Sequence, residues 1–256
     1  MSEWKGKEYK SFSSAQKGRA LQVLEEVSFD GDEIVLDIGC GSGDVTREIA
    51  SRVPNGKAIG IDISHNMIEE ALKDISEEEN LSFYEMGAED FSFSEKFDLV
   101  TSFNALHWVD DHKAVLVRVQ DQLKDGGKFL FLMASGKPNP VIDDIMQKDQ
   151  WKHHIGEVDK LHARMKNVDY SILIDEVGLI NEGVEIIYPS YRFENFEKLQ
   201  QHFMTWLPFA TDLSEEECNQ LAGELAENVK AHNKDEQGIG YAISMLLVKG
   251  RKRSID

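Results

Sequence analysis

Asp37 is preceded by the apolar run Ile34-Val35-Leu36 and followed by three alternating glycines, Gly39, Gly41 and Gly43. Glycines at that spacing let the backbone take positive φ and approach a ligand that a Cβ would repel. A loop built for pyrophosphate offers backbone N–H groups and keeps anions away. Here a carboxylate stands at the carboxyl end of the run, which suits the sulfonium and amino groups of S-adenosylmethionine (SAM), both cations. The pattern D-x-G-x-G-x-G therefore favours SAM over NAD. A second carboxylate, Asp62, closes the apolar run Ala58-Ile59-Gly60-Ile61. It falls about 20 positions past the glycines, where an acid at the tip of a second strand hydrogen-bonds a ribose diol.

Such residues need a strand, a turn and a helix to hold them. Asp44 to Arg52 reads as a helix closed by Pro54-Asn55-Gly56, and Ser64 stands where it would cap a helix Asn66 to Ile75. A third strand, Leu81 to Met86, leads into the polar turn Gly87-Ala88-Glu89-Asp90-Phe91, at the place where adenine lies in a doubly wound sheet. A buried fourth strand, Phe97 to Phe103, runs into Asn104-Ala105-Leu106-His107-Trp108-Val109. Asp111 to Leu123 has helical spacing, and Asp125-Gly126-Gly127 is expected to end it before a fifth strand, Lys128 to Ala134. Repeated strand–helix crossovers imply an α/β fold with a mostly parallel sheet and helices on both faces. Ligands bind outside the carboxyl ends of such strands, where Asp37, Asp62, Asp90 and Asn104 fall.

The second half departs from that repeat. A helix Tyr170 to Val177 and strands Val184 to Arg192 and Ala242 to Val248 are expected to complete seven strands, the last pair antiparallel. Two insertions, 136–170 and 193–238, are expected to form a helical lid. The second is dense in aromatic residues, among them Phe196, Phe203, Trp206 and Phe209, and Ser214 with Glu217 has capping-box spacing. The segment Trp4 to Phe12 is expected to fold over the same mouth. Chain length fits one domain, residues 1–256, with a SAM-binding core over about 15–135.

Composition narrows the partners. A net charge of −19 repels nucleic acid and anionic membranes, and no basic stripe is present to neutralise phosphates. Cys40 and Cys218 cannot build a disulfide framework, and His153, His154 and His162 lack a coherent ligand set, so no metal is expected. Neither an apolar leader nor a membrane-spanning run is found, which makes the cytoplasm the default compartment. Oligomeric state is not readable from these features.

Val35 to Gly43, Gly60-Ile61-Asp62, Ala88 to Phe91, Phe103 to Trp108 and Leu123 to Gly127 resemble the successive motifs of class I SAM-dependent methyltransferases, Rossmann-like enzymes. The wording is most similar to the juvenile hormone acid and trans-aconitate O-methyltransferases, which esterify carboxylic acids. Leu106-His107-Trp108-Val109, Gln16 ahead of a helix, Gly41 to Thr46 and Trp151 resemble the juvenile hormone acid branch in particular. That resemblance implies that Asp37, Gly39, Gly41 and Gly43 hold the methionine end of SAM and Asp62 the ribose, with Cys40 also in the cofactor site. Ile63, Met67, Ala88, Glu89, Asp90, Phe91 and Asn104 would complete the cofactor site, with Asp90 at the adenine amine. Gln16 and Trp108 would meet the substrate carboxylate as the catalytic pair. The branch carries Pro where Ser42 stands, a departure that leaves a backbone-lined site intact.

The chemistry suits those residue types. A carboxylic acid is already an anion at neutral pH, so methyl transfer to it needs no strong base. Neutral donors such as the Gln16 amide and the Trp108 indole N–H orient a carboxylate without over-stabilising its ground state. His107 is expected to be a packed or supporting residue. An apolar lid and only eight arginines favour a lipophilic small-molecule acid over a small polyanion such as trans-aconitate. A SAM-binding regulator without turnover is the reading from outside enzymology.

Overall fold

The computed structural model describes residues 14–73 and 80–254, with side chains from Lys17 onward. Helix α1 (Ser14–Leu24) leads into β1 (Ile34–Ile38), and helix and strand then alternate through α2 (Asp44–Arg52), β2 (Lys57–Asp62), α3 (His65–Lys73) and β3 (Leu81–Glu85). Next come β4 (Phe97–Phe103), a short 3-10 turn (Leu106–Trp108), α4 (His112–Gln122) and β5 (Leu123–Ala134). After α5 (Pro140–Met146), α6 (Gly156–Asn167) and α7 (Tyr170–Glu176), the chain enters β6 (Ile180–Ile187) and β7 (Ser190–Phe193). It continues through α8 (Phe196–Met204), α9 (Leu207–Ala210), α10 (Glu215–Asn233), β8 (Lys234–Asp235), β9 (Gly238–Ala242) and β10 (Met245–Arg251).

Seven strands form one sheet in the order β3-β2-β1-β4-β5-β10-β6, parallel except for β10, which runs antiparallel to both neighbours. Side-chain alternation along each strand splits the core into two layers. Leu36, Ile38, Phe129 and Phe131 face α4 and α7, burying Val115, Val119 and Ile174; Val35, Leu130 and Leu132 face α1, α2 and α3, burying Leu24, Ile49 and Ala71. This places β1, β2 and β4 side by side at the sheet centre, so their carboxyl ends open on one crevice.

Local readings differ at three points. The Ser64 hydroxyl is buried without a partner among the described residues, and the Ser64 carbonyl takes the Met67 and Ile68 N–H groups instead. Asp125-Gly126-Gly127 does not end a helix. It lies inside β5 as an irregularity between the Leu123–Phe97 and Lys128–Leu99 pairs, with Gly126 at φ +76°. The expected strand Val184 to Arg192 divides near Pro189. Its second part, β7, joins a separate antiparallel sheet β7-β9-β8, so the lid is not purely helical. The segment Trp4 to Phe12 and residue Ile75 lie outside the described residues.

The lid has its own core. Ile142 and Met146 of α5, Phe203 of α8, Leu221 and Leu225 of α10 and Tyr241 of β9 are buried together, and Trp108 packs against them from the sheet side. The capping box at the start of α10 forms as its spacing requires: Ser214 Oγ accepts from the Glu217 N–H, and Glu217 Oε2 accepts from the Ser214 N–H at 2.8 Å. Ser214→Ala should cost about 1 kcal/mol, lowering Tm by ~2 to 4 °C in a scanning calorimeter. No helix among the described residues is long and apolar enough to cross a membrane.

Candidate active site

The glycine loop joins β1 to α2 in a conformation that side chains resist. Gly39, Gly41 and Gly43 have φ of +71°, +53° and +80°. A Cβ on Gly39 would stand 2.1 Å from the Ala105 Cβ, and one on Gly43 would stand 2.4 Å from the Phe83 ring. The loop is tied to β2 by the Gly39 and Cys40 N–H groups, which donate to the Ile61 carbonyl at 2.8 and 2.9 Å. Asp62 completes the tie: one carboxylate oxygen accepts from the Gly41 N–H and the other from the Ser64 N–H, both at 2.9 Å. Burial raises the Asp62 pKa against the pull of those two N–H groups.

Asp37 is set deeper than its motif position suggests. Its carboxylate accepts from the Thr46 hydroxyl at 2.7 Å and the Thr101 hydroxyl at 3.1 Å, and the residue is 2% exposed. Desolvation pushes its pKa up to about 6, the two threonines opposing the rise. The anion therefore acts on the loop from within the wall. Because the folded pKa exceeds the unfolded 3.8, the folded state binds the extra proton between those values and loses stability as pH rises through them, by about 3 kcal/mol. Asp37→Asn removes that burden. The variant should melt several degrees above wild type at pH 8 and lose most of the advantage near pH 4; equal differences at both pH values would contradict this origin.

Two cavities meet at the carboxyl edge of the sheet. The first is the loop itself, lined by Asp37, Gly39, Cys40 and Gly41 with Lys17 and Ala20 of α1 and Phe103 and Asn104 of β4's end. The second, about 200 Å³, lies between the sheet and the lid. Asn104, His107, Trp108 and Met245 form its sheet wall, and Ile142, Met146, Trp206, Tyr191, His202 and Tyr241 are among its lid residues. Asn104 lines both cavities, and it is the one non-glycine residue at positive φ among those described, at +57°. Strain of that kind is held where a site requires it.

The expected site residues are distributed unevenly over this edge. Asp37, Gly39, Cys40, Gly41 and Asn104 line the loop cavity, and Gly43 caps α2 behind it. The Cys40 thiol is buried, and desolvation drives its pKa up strongly. Ile63, next to Asp62, is 79% exposed, an apolar surface open at the tip of β2. Ala88 is half-buried, Asp90 is exposed near Gly87, and the Glu89 carboxylate accepts from the Asp111 N–H at 2.9 Å. Phe91 is fully enclosed in the core layer with Leu36 and Ile59, and Met67 is buried within α3, so neither side chain is an open surface. Gln16 falls within α1, one turn before Ala20, and its side chain lies outside the described residues.

Trp108 lies between the sheet and the lid, its ring 5.2 Å from that of His107. His107 is buried, and its Nδ1 lies 3.4 Å from the Ala134 N–H, to which it is the acceptor. Desolvation, with further lowering from His112 and Arg164, takes its pKa down to about 3. It is neutral throughout the physiological range. Sequence reasoning missed Lys17 in the loop cavity and Arg19, whose guanidinium carbon stands 5.1 Å over the Tyr191 ring. Only the folding of α1 across the sheet edge brings either residue there.

The fold and the glycine loop define the SAM-dependent methyltransferases of class I. Comparison with known proteins agrees: residues 35–127 match the family of methyltransferase domains. The juvenile hormone acid O-methyltransferase of Drosophila melanogaster is 29% identical over 78% of this chain and 74% of its own. A trans-aconitate 2-methyltransferase of Acidovorax ebreus is 24% identical over 75% of this chain and 74% of its own. Among solved structures, phosphoethanolamine N-methyltransferase 2 of Haemonchus contortus in complex with SAM has a TM-score of 0.65 at 18% identity, covering 97% of this chain and 57% of that one. The chain is a SAM-dependent methyltransferase, and SAM is its cofactor.

Proposed function

We propose that the chain transfers the methyl group of SAM to the carboxylate of a lipophilic acid, of which juvenile hormone acid and farnesoic acid are examples. The observation that carries this reading is the pair of cavities that share Asn104 as a wall residue, one built from the glycine loop and the other walled largely by apolar and aromatic side chains. Lys137 is the one lysine or arginine among the described residues lining the second cavity, too little cationic charge for a small polyanion. Trans-aconitate is therefore the weaker reading.

The loop fits the cofactor. Its three glycines leave a cradle free of Cβ atoms, Asp62 keeps lone pairs for a diol beyond its two N–H bonds, and exposed Ile63 offers a face for an adenine ring. When bound, SAM supplies an electrophilic methyl group, and its sulfur keeps the electron pair of the broken S–C bond. The residues Asp37, Gly39, Cys40, Gly41, Gly43, Asp62, Ile63, Asp90 and Asn104 would hold it, joined by Lys17. Gln16 and Trp108 would orient the acceptor carboxylate, and the lid around 136–170 and 193–238 would exclude water from it as part of one domain. Orientation of this kind supplies up to roughly 7 to 11 kcal/mol. No residue need remove a proton, because the nucleophile arrives ionised.

A panel of acceptors with radiolabelled SAM tests the reading. Label should pass into a volatile methyl ester from medium-chain, long-chain and terpenoid acids. Preference for aconitate would promote the polyanion reading; transfer to amines or phenols alone would remove the carboxylate. Tight SAM binding with no transfer to any acceptor would favour a regulator.

A further inference from the structure

The lid wall of the second cavity contains a polar group that orientation of a carboxylate does not use. His202 of α8 lines the cavity, is 5% exposed, and has an Nδ1 that is buried without a hydrogen-bond partner. Four aromatic rings surround it, those of Tyr191, Phe193, Phe203 and Tyr241, at centroid separations of 5.3 to 5.8 Å. Desolvation takes the His202 pKa down to about 4, so the imidazole is neutral, with one nitrogen to donate and one to accept. Beside it in the same wall is Tyr241, whose ring stands 5.7 Å from that of His202. Leaving a buried polar atom unpaired is costly. A packed aromatic cluster would be more stable with phenylalanine at 202 unless something meets the nitrogen.

The reacting end of the acceptor belongs at the opposite wall, where Asn104 is shared with the glycine-loop cavity and Trp108 stands beside it. An acid extending from there toward α8 brings its tail to His202. We propose that His202, assisted by Tyr241, forms a polar subsite for an oxygen function remote from the carboxylate, so that the natural acceptor is an oxygenated lipophilic acid, not a plain hydrocarbon one. This rests on the carboxylate reading and narrows it. A site that hydrogen-bonds its ligand discriminates through the ligand that lacks the partner, because the protein group is then left unpaired.

Calorimetry with the protein loaded with S-adenosylhomocysteine tests this apart from turnover. The probes are a straight-chain acid of about twelve carbons and the same acid hydroxylated at its far end or at either of two nearer positions. Wild type should bind at least one hydroxylated acid about tenfold more tightly than the parent. In His202→Phe that ratio should fall to near one, and His202→Asn, whose amide lies close to the place of Nδ1, should restore part of it. Equal affinity for plain and hydroxylated acids, or a preference that survives in His202→Phe, would overturn the subsite. Failure of every acid to bind would overturn it together with the carboxylate reading. Binding with this preference but no methyl ester would keep the subsite and remove the reaction.

Discussion

Asp62→Ala should raise the Kd for SAM by at least about 100-fold. In the structure the Asp62 carboxylate does two things at once: it accepts from the Gly41 and Ser64 N–H groups, and it stands at the tip of β2 where a ribose diol would reach it. Hydrogen bonds to a charged group contribute ~1.5 to 3 kcal/mol each, and a diol offers two. The alanine variant also frees Gly41 from β2, which loosens the cradle. Asp62→Asn retains one accepting oxygen and should fall between the two. Isothermal calorimetry with SAM reads both values, and a thermal melt separates loss of binding from loss of fold. A Kd within threefold of wild type in a folded Asp62→Ala protein would remove the ribose assignment.

The second large effect concerns the acceptor. Gln16→Ala and Trp108→Phe should each lower kcat/KM for a lipophilic acid by ~1 to 3 kcal/mol, about 5- to 150-fold, as expected for one hydrogen bond to a carboxylate. Trp108→Phe keeps an aromatic ring against the lid core and removes the indole N–H, so its effect reports the donor more than the packing. If SAM meets the loop and not these side chains, as proposed, its Kd should stay within about threefold in both variants. A kcat/KM unchanged in Trp108→Phe would remove the tryptophan from the acceptor site.

What the sequence disclosed was local. The glycine spacing, Asp62 at the end of β2 and the span of α2 are legible because positive φ, strand length and helix punctuation are written in adjacent residues. Two properties of the same segment were not. The motif shows that Asp37 is an acid, but Thr46 and Thr101, which turn its carboxylate into the wall, come from α2 and β4. Phe91 belongs to the polar turn expected at the adenine, yet its side chain is core, since burial depends on α4 and β4 closing over it. The lid was hardest to read. A break near Pro189 sends β7 out of the main sheet to pair with β9, about fifty residues later in sequence, and no local signal announces such a partner. His202 likewise reads as one helical residue among aromatics until α8 and β9 pack together.

Ionisation decides the central claim, that the nucleophile is a carboxylate needing no protein base. With His107 held neutral down to about 3 by burial, no group at the sheet wall of the cavity is set to gain or lose a proton between pH 6.5 and 8.5. Asp37, pushed up to about 6, is ionised across most of that window. The decisive measurement is kcat at saturating SAM across it, in wild type and in His107→Phe. The account predicts a nearly flat profile in both proteins. A steep rise with an apparent pKa near 6.5 that disappears in His107→Phe would show that this histidine is the base and that the acceptor carries a proton at neutral pH, as an alcohol or phenol does.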